Sequence, residues 1–144
     1  AAFIIKKRAF VSAEYELTDY SLAKLSADDY SFNTENEDIV NKYGLSHSFR
    51  LGGEVALTQL LYLRAGYNFI TSPYKLEDSK KLASAHYASA GFGIRSKRVF
   101  FDMAYVFGFS KDDYWLYRNG NNYVDPAHIN HTYHRVIATL GFKF

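Results

Sequence analysis

The sequence predicts an all-β protein, seven antiparallel strands forming the wall of a transmembrane β-barrel, and three observations predict it. Apolar and polar residues alternate with period two over seven segments of the 144-residue chain, which puts one set on each face of a pleated strand. Aromatic residues make up 18% of the chain, with thirteen Tyr and twelve Phe against two Pro, a composition that favours extended structure. The connections alternate short and long without exception: residues 6–8, 58–60 and 96–98 are short, and 21–47, 71–85 and 110–130 are long. That is the rhythm of a barrel with tight turns on one side of a membrane and loops on the other.

Each element follows from its own residues. Residues 1–5 read as the tail of a strand, and AAFIIKKRAF does not read as a secretory signal, because its apolar run is short and comes before its basic cluster. The strand over 9–20 sets Val11, Ala13, Tyr15 and Leu17 against Ser12, Glu14, Glu16 and Thr18. The long connection after it holds a short helix near 36–42. The strand over 47–57 sets Phe49, Leu51, Gly53, Val55 and Leu57 against Arg50, Gly52, Glu54 and Ala56, and that over 61–70 sets Leu61, Leu63, Ala65, Tyr67 and Phe69 against Tyr62, Arg64, Gly66 and Asn68. In the strand over 86–95, Ala88, Ala90, Phe92 and Ile94 oppose Tyr87, Ser89, Gly91, Gly93 and Arg95. In that over 99–109, Val99, Phe101, Met103, Tyr105 and Phe107 oppose Phe100, Asp102, Ala104 and Val106. The last strand, 132–144, sets Val136, Ala138, Leu140, Phe142 and Phe144 against Arg135, Thr139, Gly141 and Lys143.

One face of every strand is free of charge, and the other carries Glu14, Glu16, Arg50, Glu54, Arg64, Arg95, Asp102 and Arg135 among Gly, Ser and Ala. In a soluble sandwich the uncharged face is the inside and the charges sit in water. Small residues beside charges point instead to a crowded, hydrated interior where Arg and carboxylate pair, which leaves the apolar face to lipid. Strands of this length match what a tilted strand needs to cross the hydrocarbon.

Bulk numbers are compatible with this. A mean hydropathy of −0.25 and a hydrophobic share of 48% suit a barrel as well as a soluble domain, because lipid-facing and lumen-facing residues cancel in any window. No run of about 18 apolar residues offers a membrane helix. The formal charge of +2, with both signs spread along the chain, gives no support to a nucleic-acid partner. The absence of Cys excludes a disulfide framework and thiolate metal sites.

Placing the short turns in the periplasm makes the last strand descend inward, so that the C-terminus arrives at the periplasmic face of a bacterial outer membrane. Its alternating apolar residues, with Leu140, Phe142 and Phe144 at the end, resemble the signal that the barrel-assembly machinery reads. Beyond it, RLGGEVALTQLLYLRAGYNF, SAGFGIRSKRVFFDMAYVFGF and VIATLGFKF, in that order, resemble the C-terminal half of the FadL/TodX family of outer-membrane transporters of hydrophobic compounds, including the Bacteroidetes type. FVSAEYELTDYS is similar to the family's preceding ascending strand. The resemblance implies a barrel of about fourteen strands, of which this chain supplies the second half. The first half would come from the same gene product or from another chain. It further implies diffusion of long-chain fatty acids or other hydrophobic small molecules through the barrel, no cofactor, and outer-membrane lipid as a partner. The family's plug and wall opening belong to its N-terminal part and map onto no residue here.

Arg64, Arg95 and Arg135 are candidates to guide a carboxylate headgroup, since guanidinium binds carboxylate bidentately, with Tyr62 and Phe100 beside them on the path. The plainer reading is that the arginines, with Arg50, pair with Glu14, Glu16, Glu54 and Asp102 and hold the wall together. Tyr114, Trp115, Leu116 and Tyr117 form an apolar cluster in a polar connection and are candidates for ligand capture, or for an aromatic girdle at the membrane surface. His128, His131 and His134 are spaced three apart, which on a strand sends them to opposite faces, so no metal site is expected. Asp28-Asp29 and Asp112-Asp113 read as solvated loop charge. No nucleophile elbow or glycine-rich phosphate loop occurs, so no enzyme is expected. Two rival functions remain: a non-transporting structural subunit of a larger outer-membrane complex, and an outer-membrane lipid-modifying enzyme.

Overall fold

Period-two alternation is realised as one continuous sheet. The computed structural model describes residues 1–6, 8–75, 84–114 and 127–143, with backbone alone at 113 and 114. The strands are β1 (Ala2–Ile5), β2 (Ala9–Asp19), β3 (Leu45–Ala56), β4 (Leu61–Ile70), β5 (Ala85–Arg95), β6 (Val99–Tyr114) and β7 (Ala127–Phe142). Each pairs antiparallel with the next in chain order. The sheet is not closed: β1 pairs only with β2, and β7 only with β6.

The register carries the alternation across all the strands. Tyr15, Phe49, Phe69, His86, Phe109 and Thr132 form one row on the apolar face, and Ala13, Leu51, Tyr67, Ala88, Phe107 and His134 form the next. A one-residue slip at any junction would send a whole strand's apolar set to the charged side, and no junction shows one. Among the described residues nothing covers either face. Among the described residues no hydrophobic side chain is buried, and Val136 and Leu140 are each 61% exposed. Only the small Ser46, Ser48, Gly93 and Gly108 are buried among the described residues.

The strand limits differ from expectation at the long-connection end. β3 starts at Leu45 and β5 at Ala85, while β6 and β7 run on to Tyr114 and from Ala127. Residues 110–114 and 127–130 of the connection expected over 110–130 are therefore ladder, paired from Ser110 with His131 up to Tyr114 with Ala127. Apolar alternation stops there because both faces turn polar, but the backbone groups still satisfy one another across the hairpin.

The first long connection is folded. Asp19 Oδ1 accepts hydrogen bonds from the Ser21 N–H at 3.0 Å and the Ser21 hydroxyl at 2.6 Å, which turns the chain into a single 3-10 turn, Tyr20–Leu22. Helix α1 (Asn33–Lys42) follows, three residues longer at its start than the sequence suggests. It is anchored by Asn36, whose Oδ1 accepts from the Leu25 N–H at 2.8 Å and whose Nδ2 donates to the Leu25 carbonyl at 3.0 Å. At the exit Tyr43 bridges to Tyr74, and the Gly44 N–H donates to the Pro73 carbonyl at 2.8 Å, tying this connection to the next.

Candidate functional site

The charges on the polar face gather into two clusters, each built by strand register. Glu14 of β2 lies directly opposite Arg50 of β3. Arg50 pairs with Glu14, and its Nη2 reaches Glu16 Oε2, one pleat further along, at 2.7 Å. Nearer the short turns, Glu54 of β3 lies opposite Arg64 of β4. Arg64 holds Glu54 through Nε and Asp102 of β6 through Nη1, at 2.8 Å from Oδ1. Arg95 of β5 completes the group, with Nη2 3.6 Å from Glu54 Oε2 and its guanidinium 4.6 Å from the centroid of the Tyr62 ring.

Arg64 and Asp102 sit two strands apart, and a glycine lets them meet. Asp102 faces Gly93 across the β5–β6 pairing, and a Cβ on Gly93 would run into Asp102 Oδ1. With no side chain there, the carboxylate reaches across β5 to Arg64. The contact between Asp102 Oδ1 and Arg64 is an ion pair rather than a well-aligned hydrogen bond, since that oxygen is enclosed and has no hydrogen-bond partner. Phe100 uses a second glycine: it lies opposite Gly141 and its ring covers the space a Cβ would take, a cross-strand pairing that shields the backbone of β7.

Between the clusters the polar face is hollow. Ser12, Gly52, Gly66 and Ser89 share one register row, and a concavity of about 410 Å³ opens over this region, with Glu54, Arg64 and Asp102 among its lining residues. Arg135 continues the same row on β7, opposite Val106. It is exposed and makes no ion pair among the described residues.

The structure thus brings Tyr62, Arg64, Arg95, Glu54 and Asp102 into one group, Glu14, Glu16 and Arg50 into another, and leaves Arg135 and Phe100 apart on β7 and β6. Leu140 and Phe142 lie on the apolar face with Val136 and Ala138, while Phe144 lies outside the described residues. Trp115, Leu116 and Tyr117 also fall outside them, and Tyr114 is placed only as the backbone end of β6. On β7, His131 is on the polar face, and His128 and His134 are on the apolar one. No group of three metal-ligating side chains occurs among the described residues.

Sequence reasoning missed a feature of the apolar face. Tyr15 Oη and His47 Nδ1 are hydrogen-bonded at 2.8 Å, Tyr67 Oη and His86 Nδ1 at 2.7 Å, and Tyr105 Oη and His134 Nδ1 at 2.6 Å. Each couple joins neighbouring strands. The signal for it was present, because Ala9 to Tyr15, Leu61 to Tyr67 and Val99 to Tyr105 are each six residues. Comparison with family models, with curated proteins and with solved structures returned no match.

Proposed function

We propose that this chain is part of the wall of a larger outer-membrane β-barrel, with lipid on its apolar face and a water-filled lumen on its polar face, serving passage of long-chain fatty acids or other hydrophobic molecules. The observation that carries the reading is the asymmetry of an uncovered sheet: one face is uncharged through the middle of every strand and exposed, and the other gathers Arg and carboxylate into paired clusters. A soluble monomer does not leave an apolar surface of that extent open to water. An open sheet in hydrocarbon also leaves unpaired edge groups, so the free edges of β1 and β7 call for further strands, from the same protein or another. The resemblance to the FadL/TodX family supplies the substrate class.

The pairing of charges favours a second reading, a structural wall that transports nothing. Arg50, Arg64 and Arg95 are all engaged by carboxylates, so of these three and Arg135, the arginines on the polar face of the described strands, Arg135 alone remains open to an anionic headgroup. Two measurements decide. Recovery of the chain in outer membranes after an alkaline wash supports the wall, and recovery as a soluble monomer overturns it. Uptake of labelled oleate that depends on the chain, and falls with Arg135→Leu, supports transport. Uptake indifferent to the chain leaves the structural wall as the function.

A further inference from the structure

The three Tyr–His couples fall on a staircase. Tyr15 shares its row with Phe69, and Tyr67 lies two residues from Phe69 towards the short turns; Tyr67 shares its row with Phe107, and Tyr105 lies two residues further again. Each couple is therefore displaced by two residues along the strands for every two strands crossed, about 6.6 Å against about 9.6 Å. The line through them is inclined by about 35° to the hydrogen-bond rows, which is the tilt at which strands run in closed barrels. The starts of β2, β4 and β6 step by the same amount, because each Tyr is six residues from its strand's first residue. In a wall tilted by that angle, turns and couples both become level.

The height follows from the same geometry. His47, His86 and His134 stand eight or nine residues from the short-turn ends of their strands, Ala56, Arg95 and Phe142. That is about 22–24 Å along the barrel axis, close to the height of the outward apolar band of outer-membrane barrels. Between those limits the face carries residues such as Val11, Leu51, Leu63, Phe92, Met103 and Leu140 and no charge. Beyond the histidines it turns to Asp19, Lys111, Asn130 and Thr132, with Leu45 and Phe109 the apolar exceptions. At the opposite limit stand Lys6, Arg8, Lys97, Arg98 and Lys143.

We infer that the Tyr–His couples form a level ring at the membrane–water boundary on the long-connection side, where they meet the lipid headgroup layer. The inference rests on the membrane reading above. Tyr reaches up from the apolar band and shares its hydroxyl with His at the boundary, so neither polar group is left alone in hydrocarbon. Nε2 of His47 and of His134 makes no hydrogen bond among the described residues, which leaves each available to a headgroup oxygen.

The test uses the chain assembled with the strands that complete its barrel in phosphatidylcholine vesicles, with its single tryptophan removed by Trp115→Phe and any in the added strands likewise replaced. Tyr15→Trp, Tyr67→Trp and Tyr105→Trp are then each introduced alone, with Met103→Trp as a mid-band control, and fluorescence quenching is read with lipids brominated at different depths. The ring requires one common shallow depth for the three, with Met103→Trp distinctly deeper. A separation of about 13 Å between Tyr15→Trp and Tyr105→Trp, the value for level hydrogen-bond rows, overturns the ring while leaving the membrane reading intact. Absence of quenching at Met103→Trp overturns both. Should a tyrosine variant fail to fold, Phe69→Trp and Phe107→Trp, one pleat higher on β4 and β6, must likewise share a depth.

Discussion

Replacing Arg64 with Met removes the one cation that touches both Glu54 and Asp102. The side chains of Glu54 and Asp102 are 14% and 21% exposed and that of Arg64 is 35% exposed, so the group lies between a dry interior and open water. At the 2.8 Å separation of Arg64 and Asp102, an effective dielectric of about 40 gives an attraction of about 3 kcal/mol, and bulk water about 1.5. Glu54 keeps Arg95 at 3.6 Å, whereas Asp102 keeps no other ion pair among the described residues. After discounting for solvent screening, the expected loss is about 2 kcal/mol, roughly a thirty-fold fall in the folding equilibrium constant. Reversible urea unfolding in vesicles, followed by Trp115 fluorescence, measures it for Arg64→Met, Asp102→Asn and the double variant. The double variant should lose clearly less than the sum of the singles, since the pair is coupled. An Arg64→Met variant within about 0.5 kcal/mol of the parent would refute the argument that these charges are paired in surroundings only partly reached by water.

Two further outcomes follow from named contacts. Gly141→Ala puts a methyl group into the Phe100 ring and should cost about 1–3 kcal/mol in the same unfolding assay, with most of the loss recovered by adding Phe100→Leu. Tyr30 donates to Glu35 Oε1 at 2.9 Å, and that hydrogen bond, with the carboxylate's charge, raises its pKa above the ordinary tyrosine value. The sign is that of a raised group: its contribution is full below the ordinary value near 10 and is lost as pH rises through the raised one. In a difference titration of phenolate absorbance, Tyr30→Phe should remove a late-titrating tyrosine, and Glu35→Gln should move it to lower pH.

Most of the sheet is legible from residues alone, because period-two alternation fixes which side chains share a face, and the faces limit the register to even shifts. Glu14 opposite Arg50 and Glu54 opposite Arg64 follow once Val11, Gly53 and Ala65 are set in one row. The reach of Asp102 to Arg64 is not legible, since it depends on Gly93 leaving a gap on the strand between them. Nor is the extension of β6 and β7 past Ser110, where Lys111 and Asp112 give no apolar rhythm and only backbone pairing continues. The Tyr–His couples escaped for a third reason. They join diagonal neighbours, so they appear only when tyrosine positions are counted from each strand's start.

The overhang of β6 and β7 sets how the sheet should open. Ala85 is the last β5 residue to pair, against Ser110, and the Lys111 N–H still donates to the Ser84 carbonyl at 3.4 Å, so among the described residues Asp112, Asp113 and Tyr114 and their partners on β7 stand about 10 Å proud as a two-stranded ribbon. An isolated ribbon of that kind is marginal in water, and fraying should begin at its tip and run down without resistance. It should halt where β5 joins and a third strand adds its hydrogen bonds. Amide exchange along β6 should therefore show a step rather than a slope, fast at Asp112 and slow from Phe109 inward.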